Sequence, residues 1–251
     1  MMSTISAIDP VLGGQAPSRE IAEIPLFARL PRASRDRLVD GGRVERFGAG
    51  ATIFSEGQAP QHFHALLRGM VDLSSTYRGR HCTVLLLTPG DSFMPAAALY
   101  DEPYLLSART LSPSRVLMID ADVVRHEAKQ TPEFANAISR LLAGQFRLSL
   151  RIILDLKCRS PSERLAAFLL RLYDLHSPGT IAQIPFTKRQ LAARIGMQPE
   201  TLSRTLQVLA GNGLYLRGRE IIVADRAKAE AFCGADPYPS GNEDELGVYA
   251  L

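Results

Sequence analysis

Three polar residues stand close together in the stretch "QPETLSRTL": Glu200, Ser203 and Arg204. On a helix, residues three and four apart are neighbours, so these side chains share an outward surface while Leu202 and Leu206 face a core. A carboxylate accepts a hydrogen bond from the cytosine amino group, and a guanidinium donates to guanine O6 and N7. The pattern predicts a helix that reads base edges in DNA. A Glu200–Arg204 pair on an ordinary solvated helix is the alternative.

A second short helix precedes this one and is expected to position it. Thr187 followed three residues later by Gln190 is a capping box, which predicts a helix start over Lys188 to Ile195. The next helix is predicted over Pro199 to Ala210, after a turn in which Gly196 can adopt a positive φ. Two helices joined in this way predict a helix-turn-helix. The residues expected to lie against the DNA phosphates are Thr187, Lys188, Arg189, Gln198 and Thr201.

The remaining elements divide the chain by their periodicity. Between the first helical turns and residue 130, short runs rich in Val, Phe, Thr and Leu are separated by Gly and Pro at roughly ten-residue intervals, which is typical of an antiparallel barrel or jelly-roll. The final stretch "GLYLRGREIIVAD" predicts a hairpin that turns at Arg217-Gly218. The fold class is therefore α+β. The predicted parts are a flexible N-terminal arm (1–20), a double-stranded β-helix (jelly-roll) sensor domain (21–130), a long dimerisation helix (131–157), a winged helix-turn-helix (158–235) and an acidic tail (236–251).

The long helix is predicted from Pro132 to Lys157, a stretch that contains no internal proline. Apolar residues recur in it at alternating spacings of three and four, a heptad stripe that favours pairing with a second copy of the helix. A long helix packed wholly within its own chain is the alternative. The residues of the predicted dimer seam are Ile138, Leu141, Gln145, Leu148 and Ile152.

Composition and charge limit the function classes. The 251 residues carry a net charge of +3, yet residues 158–235 hold eleven Lys and Arg against six acids, a balance that suits a polyanionic partner. No signal peptide or membrane-spanning segment is apparent, so a cytoplasmic protein with no membrane partner is expected. Three widely spaced cysteines indicate neither a disulfide framework nor a zinc site. No enzymatic activity is predicted.

A β-roll, one long helix and a C-terminal winged helix-turn-helix, in this order, resemble the CRP/FNR family of bacterial transcription regulators over residues 22–233. The motif Glu200-x-x-Ser203-Arg204 is similar to the E-x-x-S-R signature of the FNR branch, and "QPETLSR…GREIIVAD" is similar to the dissimilatory nitrate respiration (DNR/NNR) group. The resemblance implies a homodimer on an FNR-type palindrome, approximately TTGAT-NNNN-ATCAA, with Glu200, Ser203 and Arg204 contacting bases. It also implies RNA polymerase as a partner, and nitric oxide or oxygen limitation sensed through haem.

The same resemblance disfavours two other effectors. Pro95-Ala96-Ala97 stands where the cyclic AMP receptor has Gly-Glu-Leu, and Leu106-Ser107 replaces its Arg-Ser, so a cyclic phosphate would lose its charged partner. An iron-sulfur cluster is disfavoured because no cysteine precedes Cys82 and three thiols cannot supply four ligands.

Haem remains an open interpretation, with His62, His64 and His81 as candidate ligands and His126 and His176 as the other histidines. Cys158, between the long helix and the helix-turn-helix, is a candidate redox residue. A regulator that needs no effector is a further alternative. Two other classes stay open: a cupin-like metal-dependent enzyme using His62 and His64, and a module whose basic domain binds an acidic protein.

Overall fold

The computed structural model describes residues 21–22, 24–174, 181–184 and 186–234. Within these ranges the chain forms a β-roll, a long helix and a C-terminal helical domain with a small hairpin. The predicted α+β architecture is confirmed in this order of parts. The predicted arm (1–20), the predicted acidic tail (236–251) and His176 lie outside the described residues. None of the described helices combines the length and the apolarity needed to cross a bilayer.

The β-roll consists of two four-stranded antiparallel sheets. Gly and Pro residues occupy the turns between the strands. Buried Phe, Val and Leu side chains from both sheets fill the space between the two sheets. The first sheet has the order β1-β8-β3-β6 and the second has the order β2-β7-β4-β5. The strands are β1 (Gly42–Phe47), β2 (Thr52–Phe54), β3 (His62–Arg68), β4 (Val71–Tyr77), β5 (Arg80–Leu87), β6 (Ser92–Phe93), β7 (Ser107–Thr110) and β8 (Ser114–Asp120).

Four shorter helices flank the roll: α1 (Pro25–Ala28), α2 (Arg32–Asp40), α3 (Pro95–Tyr100) and α4 (Ala121–Gln130). The side chain of Arg37 on α2 donates two hydrogen bonds, at 2.9 and 2.7 Å, to the carboxylate of Glu127 on α4. Because Glu127 is buried, this pair fixes the two helices against each other. Helix α4 leads directly into the long helix.

The long helix α5 runs from Pro132 to Cys158, one residue beyond its predicted end. Its predicted dimer seam requires correction. Ile138, Leu141 and Leu148 are buried in one cluster with Phe63 and Leu117 of the β-roll, so they pack within their own chain. Of the other two predicted seam residues, Gln145 donates its side-chain amide to the backbone oxygen of Ser92, and Ile152 is half-buried against the same cluster.

A different face of α5 points outward and is apolar. Phe146, Leu150 and Ile153 are 63%, 44% and 45% exposed. Their spacing of four and three places them on one stripe, on the side of α5 away from the covered face. The helix therefore has two apolar faces, of which the β-roll covers one.

The C-terminal domain contains α6 (Pro161–Asp174), α7 (Lys188–Ile195), α8 (Pro199–Gly211), β9 (Leu214–Arg217), β10 (Glu220–Val223) and α9 (Arg226–Cys233). Helix α6 begins with Ser160 as its cap: the Glu163 backbone N–H donates to Ser160 Oγ at 3.3 Å. The hairpin turns through Gly218-Arg219, one residue later than predicted, because Arg217 pairs with Glu220. Leucines and alanines of α6, α7 and α8 form one buried cluster around Phe168 and Phe186.

The two domains are in contact in this structure. Leu86 on β5 is buried in the cluster of the C-terminal domain, and Met70 and Leu111 of the β-roll pack against that cluster. Helix α7 consequently lies over β5 of the second sheet. A cleft remains between α7 and the sheet.

Candidate DNA-binding interface

Helix α7 begins with the predicted capping box. The Gln190 backbone N–H donates to Thr187 Oγ1 at 3.3 Å, and the Thr187 backbone N–H donates to Gln190 Oε1 at 2.8 Å. These two bonds satisfy orphan amides at the helix start and fix the direction from which the chain enters. Thr187, Lys188 and Arg189 are exposed at this end, where the phosphate contacts were predicted.

The turn between α7 and α8 depends on Gly196, whose φ is +73°. A residue with a Cβ is strained in this left-handed conformation, whereas glycine adopts it without cost. The Met197 backbone N–H donates to the Ala192 oxygen at 2.9 Å and closes the end of α7. The chain then enters α8 with Gln198 at the N-cap position and Pro199 in the first turn.

Helix α8 separates its inward and outward faces as predicted. Leu202, Thr205 and Leu209 are buried, and the Thr205 hydroxyl donates to the backbone oxygen of Thr201 at 2.9 Å. The side of the helix with no protein cover carries Glu200, Thr201, Ser203, Arg204 and Gln207.

Glu200 and Arg204 form no ion pair with each other or with any other described residue, so the alternative of an internally paired helix surface is not realised. Their hydrogen-bonding groups are available to a ligand. Together with Ser203 they form a short, continuous set of donors and acceptors at the N-terminal half of α8. This is the part of a recognition helix that approaches base edges in the major groove.

The three candidate haem ligands occupy different surroundings. His64 is buried against the rings of Phe54 and Phe93, with centroids 4.9 and 5.3 Å away, and burial lowers the pKa of His64 to about 3. Its imidazole is therefore neutral at pH 7. His62 contacts Arg43 Nη1 through Nε2 at 3.0 Å, and burial, followed by the charge of Arg43, lowers the pKa of His62.

His81 is more accessible and lies beside the cleft between the domains. Its Nε2 lies 2.8 Å from Oδ2 of Asp72. The imidazole is 56% exposed, whereas the Asp72 side chain is only 5% exposed. The cleft has a volume of about 570 Å³ and is lined by His81, Asp72 and Arg109 of the roll and by Thr187 and Arg189 of the C-terminal domain. Sequence reasoning missed this cleft, because residues far apart in the chain come together only through domain contact.

The cysteines and the other metal-binding side chains are dispersed. Cys82 on β5 and Cys158 at the end of α5 are exposed, whereas Cys233 is buried and burial raises the pKa of its thiol. The described residues contain no group of three His, Cys, Asp or Glu side chains that could hold a metal ion. The cupin-like enzyme interpretation therefore gains no support from these residues.

Comparison with known proteins agrees with this architecture. Residues 44–131 match the model of the cyclic nucleotide-binding domain, and residues 163–232 match the model of the Crp-like helix-turn-helix domain. The CRP-like cAMP-activated global transcriptional regulator of Mycobacterium tuberculosis is 25% identical over 185 residues, which cover 71% of this chain and 83% of that protein. The nitrogen fixation regulation protein FixK of Bradyrhizobium diazoefficiens is 26% identical over 201 residues, which cover 77% of this chain and 83% of that protein.

Solved structures share the fold. The structure of FixK2 from Bradyrhizobium japonicum superposes with a TM-score of 0.67 over 78% of this chain and 98% of that chain, at 20% identity. An exposed recognition helix in a domain of this type defines a DNA-binding transcription regulator. Both domain models match in this order, and the chain is similar to regulators of the CRP/FNR family.

Proposed function

We propose that this regulator binds an FNR-type palindrome, approximately TTGAT-NNNN-ATCAA, as a homodimer. The observation that carries the proposal is the outward face of α8, where Glu200, Ser203 and Arg204 are exposed and free of side-chain partners among the described residues. A carboxylate can accept a hydrogen bond from a cytosine amino group, and a guanidinium can donate to guanine O6 and N7. The two groups on one helix face therefore suit DNA base pairs that present both edges in the major groove. Thr187, Lys188, Arg189, Gln198 and Thr201 act as phosphate contacts that fix the position of the helix.

The homodimer forms through the outward face of α5. Phe146, Leu150 and Ile153 form an apolar stripe that water would otherwise cover, and burying such a stripe against its copy is favourable. Binding to a palindrome requires the two α8 helices of the dimer to lie about 34 Å apart, one turn of DNA, which is the spacing of two half-sites. RNA polymerase is the proposed protein partner of the DNA-bound dimer.

The test is a titration of the full-length protein with a fluorescent palindrome and with a scrambled duplex of equal length. Affinity for the palindrome is expected to exceed that for the scrambled duplex by at least about a thousandfold near physiological salt. Affinity for both duplexes is expected to fall as salt rises, because phosphate contacts release counterions. Equal affinity for the two duplexes at every salt concentration would contradict the proposed operator.

Cyclic AMP is not the proposed effector. Pro95 and Ala97 in the first turn of α3 are buried, and Leu106 packs against the core of the roll. These apolar positions stand where the cyclic AMP receptor has a phosphate-binding segment. A cyclic phosphate there would be left without a charged partner from this segment.

Haem at His81 is the proposed sensor of nitric oxide or oxygen limitation. His64 is enclosed by packed rings and His62 is held by Arg43, whereas His81 borders a cleft of a size typical of cofactor sites. Because Nε2 of His81 contacts the carboxylate of Asp72, Nδ1 of His81 would be available to bind haem iron. In such an arrangement the carboxylate orients the histidine ligand. Arg109 lines the same cleft and suits a propionate group. Bound haem would supply an iron centre that takes up diatomic gases.

This assignment is tested by haem titration of the full-length protein and of two variants. His81→Ala is expected to lose the Soret band of the complex, whereas His62→Ala keeps it. A band that survives in His81→Ala would contradict the assigned ligand. No uptake by the wild-type protein would favour the remaining candidates, a regulator without an effector or one controlled through Cys158.

A further inference from the structure

The surface through which α7 and α8 are proposed to contact DNA carries exposed positive charges. Lys188 and Arg189 at the start of α7 and Arg204 on α8 are exposed, and Glu200 is the acidic side chain near Arg204. We call Lys188, Arg189 and Arg204 the basic face. None of the three forms an ion pair with another described residue. In the DNA-free protein this face therefore attracts an anionic group that can reach it.

The same chain carries a block of acids that follows this domain in the sequence. The acidic tail (236–251) holds four acids and no Lys or Arg, and Glu243, Asp244 and Glu245 are consecutive. Blocks of like charge commonly serve as interaction segments. Successive residues of an extended chain are about 3.3 Å apart, close to the roughly 3.4 Å per phosphate along one DNA strand. The three acids thus match DNA phosphates in the sign of their charge and in spacing.

The described part of the C-terminal domain ends near the turn between α7 and α8. Arg159 Nη2 donates to the backbone oxygen of Gly234 at 3.5 Å. Arg164 in turn donates to the backbone oxygens of Arg159 and Ile195, at 2.9 and 3.3 Å. Because this path passes through only two arginine side chains, Gly234 lies within about 20 Å of Ile195, the last residue of α7.

The three acids are far enough along the chain to reach the start of α7. Helix α7 has eight residues, so its two ends are about 12 Å apart at roughly 1.5 Å per residue, and Lys188 lies within about 32 Å of Gly234. The nine residues from Gly234 to Glu243 can span up to about 30 Å, and the lysine and glutamate side chains cover the remainder. An intramolecular contact has an effective concentration of about 1 mM, so weak ion pairs suffice.

We propose that Glu243, Asp244 and Glu245 bind the basic face of their own chain in the DNA-free protein and that DNA displaces them. This inference rests on the proposed DNA contact of α7 and α8. The acids and the DNA phosphates compete for the same cations. The acidic tail therefore lowers the affinity of the protein for palindromic and scrambled duplexes by a similar factor.

Carbodiimide coupling of the full-length protein without DNA tests the contact directly. The reagent joins a carboxylate to a lysine amine that touches it, and the chain has four lysines: Lys129, Lys157, Lys188 and Lys228. Peptide mapping is expected to find residues 243–245 coupled to Lys188. The product is expected to disappear at about 1 M salt, where the Debye length is about 3 Å. Coupling to Lys157 or Lys228 without coupling to Lys188 would overturn the proposal.

A variant with a neutral tail measures the competition with DNA. Glu243→Gln, Asp244→Asn and Glu245→Gln together are expected to raise the affinity for palindromic and scrambled duplexes about tenfold at roughly 50 mM salt, and the gain is expected to shrink as salt rises. The matched control removes three exposed carboxylates from the β-roll and the helices next to it, through Asp40→Asn, Glu102→Gln and Glu133→Gln. It changes the net charge equally and is expected to bind both duplexes like the wild type.

The two measurements separate this inference from the proposed operator. Equal DNA affinities for the wild type and the neutral-tail variant, or the same gain in the control, would overturn the tail contact while the selectivity for the palindrome could persist. Coupling to Lys188 together with equal affinity for palindromic and scrambled duplexes would support the tail contact and contradict the operator.

Discussion

Helices α5 and α8 follow the same design and differ in what they leave uncovered. Each packs one apolar face into its own domain: Leu141 and Leu148 on α5, and Leu202 and Leu209 on α8. The outward face of α5 is apolar, whereas the outward face of α8 carries Glu200, Ser203 and Arg204. An uncovered apolar stripe favours association with a second apolar surface, and uncovered charged donors and acceptors favour a polar ligand. The difference between the two outward faces supports the proposals that α5 mediates self-association and that α8 contacts DNA.

The largest expected effect on operator affinity comes from placing a charge on the apolar outward face of α5. Leu150→Glu places two like charges against each other in the proposed dimer interface, so the protein is expected to become monomeric. Operator affinity is then expected to fall about a thousandfold, because each half-site must be bound alone. Sedimentation and operator titration measure the two changes.

Arg140→Glu is the matched control, since it adds a glutamate to an exposed position of the same helix that lies ten residues before Leu150 and off the stripe of Phe146, Leu150 and Ile153. It is expected to remain a dimer. A dimeric Leu150→Glu protein with normal operator affinity would show that the interface lies elsewhere.

A substitution on the inward face of α5 is expected to act on stability instead. Leu141→Ala leaves a cavity in the cluster shared with the β-roll and is expected to lower the free energy of unfolding by about 3 kcal/mol. Leu141→Met, which conserves volume, is expected to cost less than about 1.5 kcal/mol. Denaturant titration checks both values. If Leu141→Ala became monomeric under conditions in which it stays folded, the inward face of α5 would have to be part of the dimer interface.

The sequence predicted α7 and α8 well because their signals are local. The capping box at Thr187, the positive φ at Gly196 and the four-then-three spacing of Leu202, Leu206 and Leu209 each involve residues within one or two turns. Local hydrogen bonds and helix geometry decide such features, so they can be read without knowing the rest of the fold.

The long helix was predicted correctly in extent and incorrectly in orientation. A heptad stripe shows that one face is apolar, but it carries no information on which body covers that face. In α5 the stripe of Ile138, Leu141 and Leu148 meets the chain's own β-roll. The cleft beside His81 was missed for a related reason: its residues come from distant segments that meet only in the folded chain.

The smallest expected effect concerns the start of α7. Thr187→Ala removes the side-chain acceptor for the Gln190 amide and is expected to lower the free energy of unfolding by about 1 kcal/mol. Thr187→Ser keeps the acceptor and is expected to restore most of that loss. Thermal unfolding of the three proteins measures the difference. Equal midpoints for Ala and Thr would show that the capping bond contributes nothing.

The most direct test of the DNA-reading role is the affinity of Arg204→Ala for the palindrome, for single base-pair variants of it and for random DNA. The expected result is a loss of about 1 to 3 kcal/mol on the palindrome, with selectivity relaxed at one base pair per half-site. Arg217→Ala, which removes an equal charge from the exposed hairpin, is the control and is expected to weaken all duplexes alike. An equal loss on palindrome and random DNA for Arg204→Ala would contradict base reading by α8.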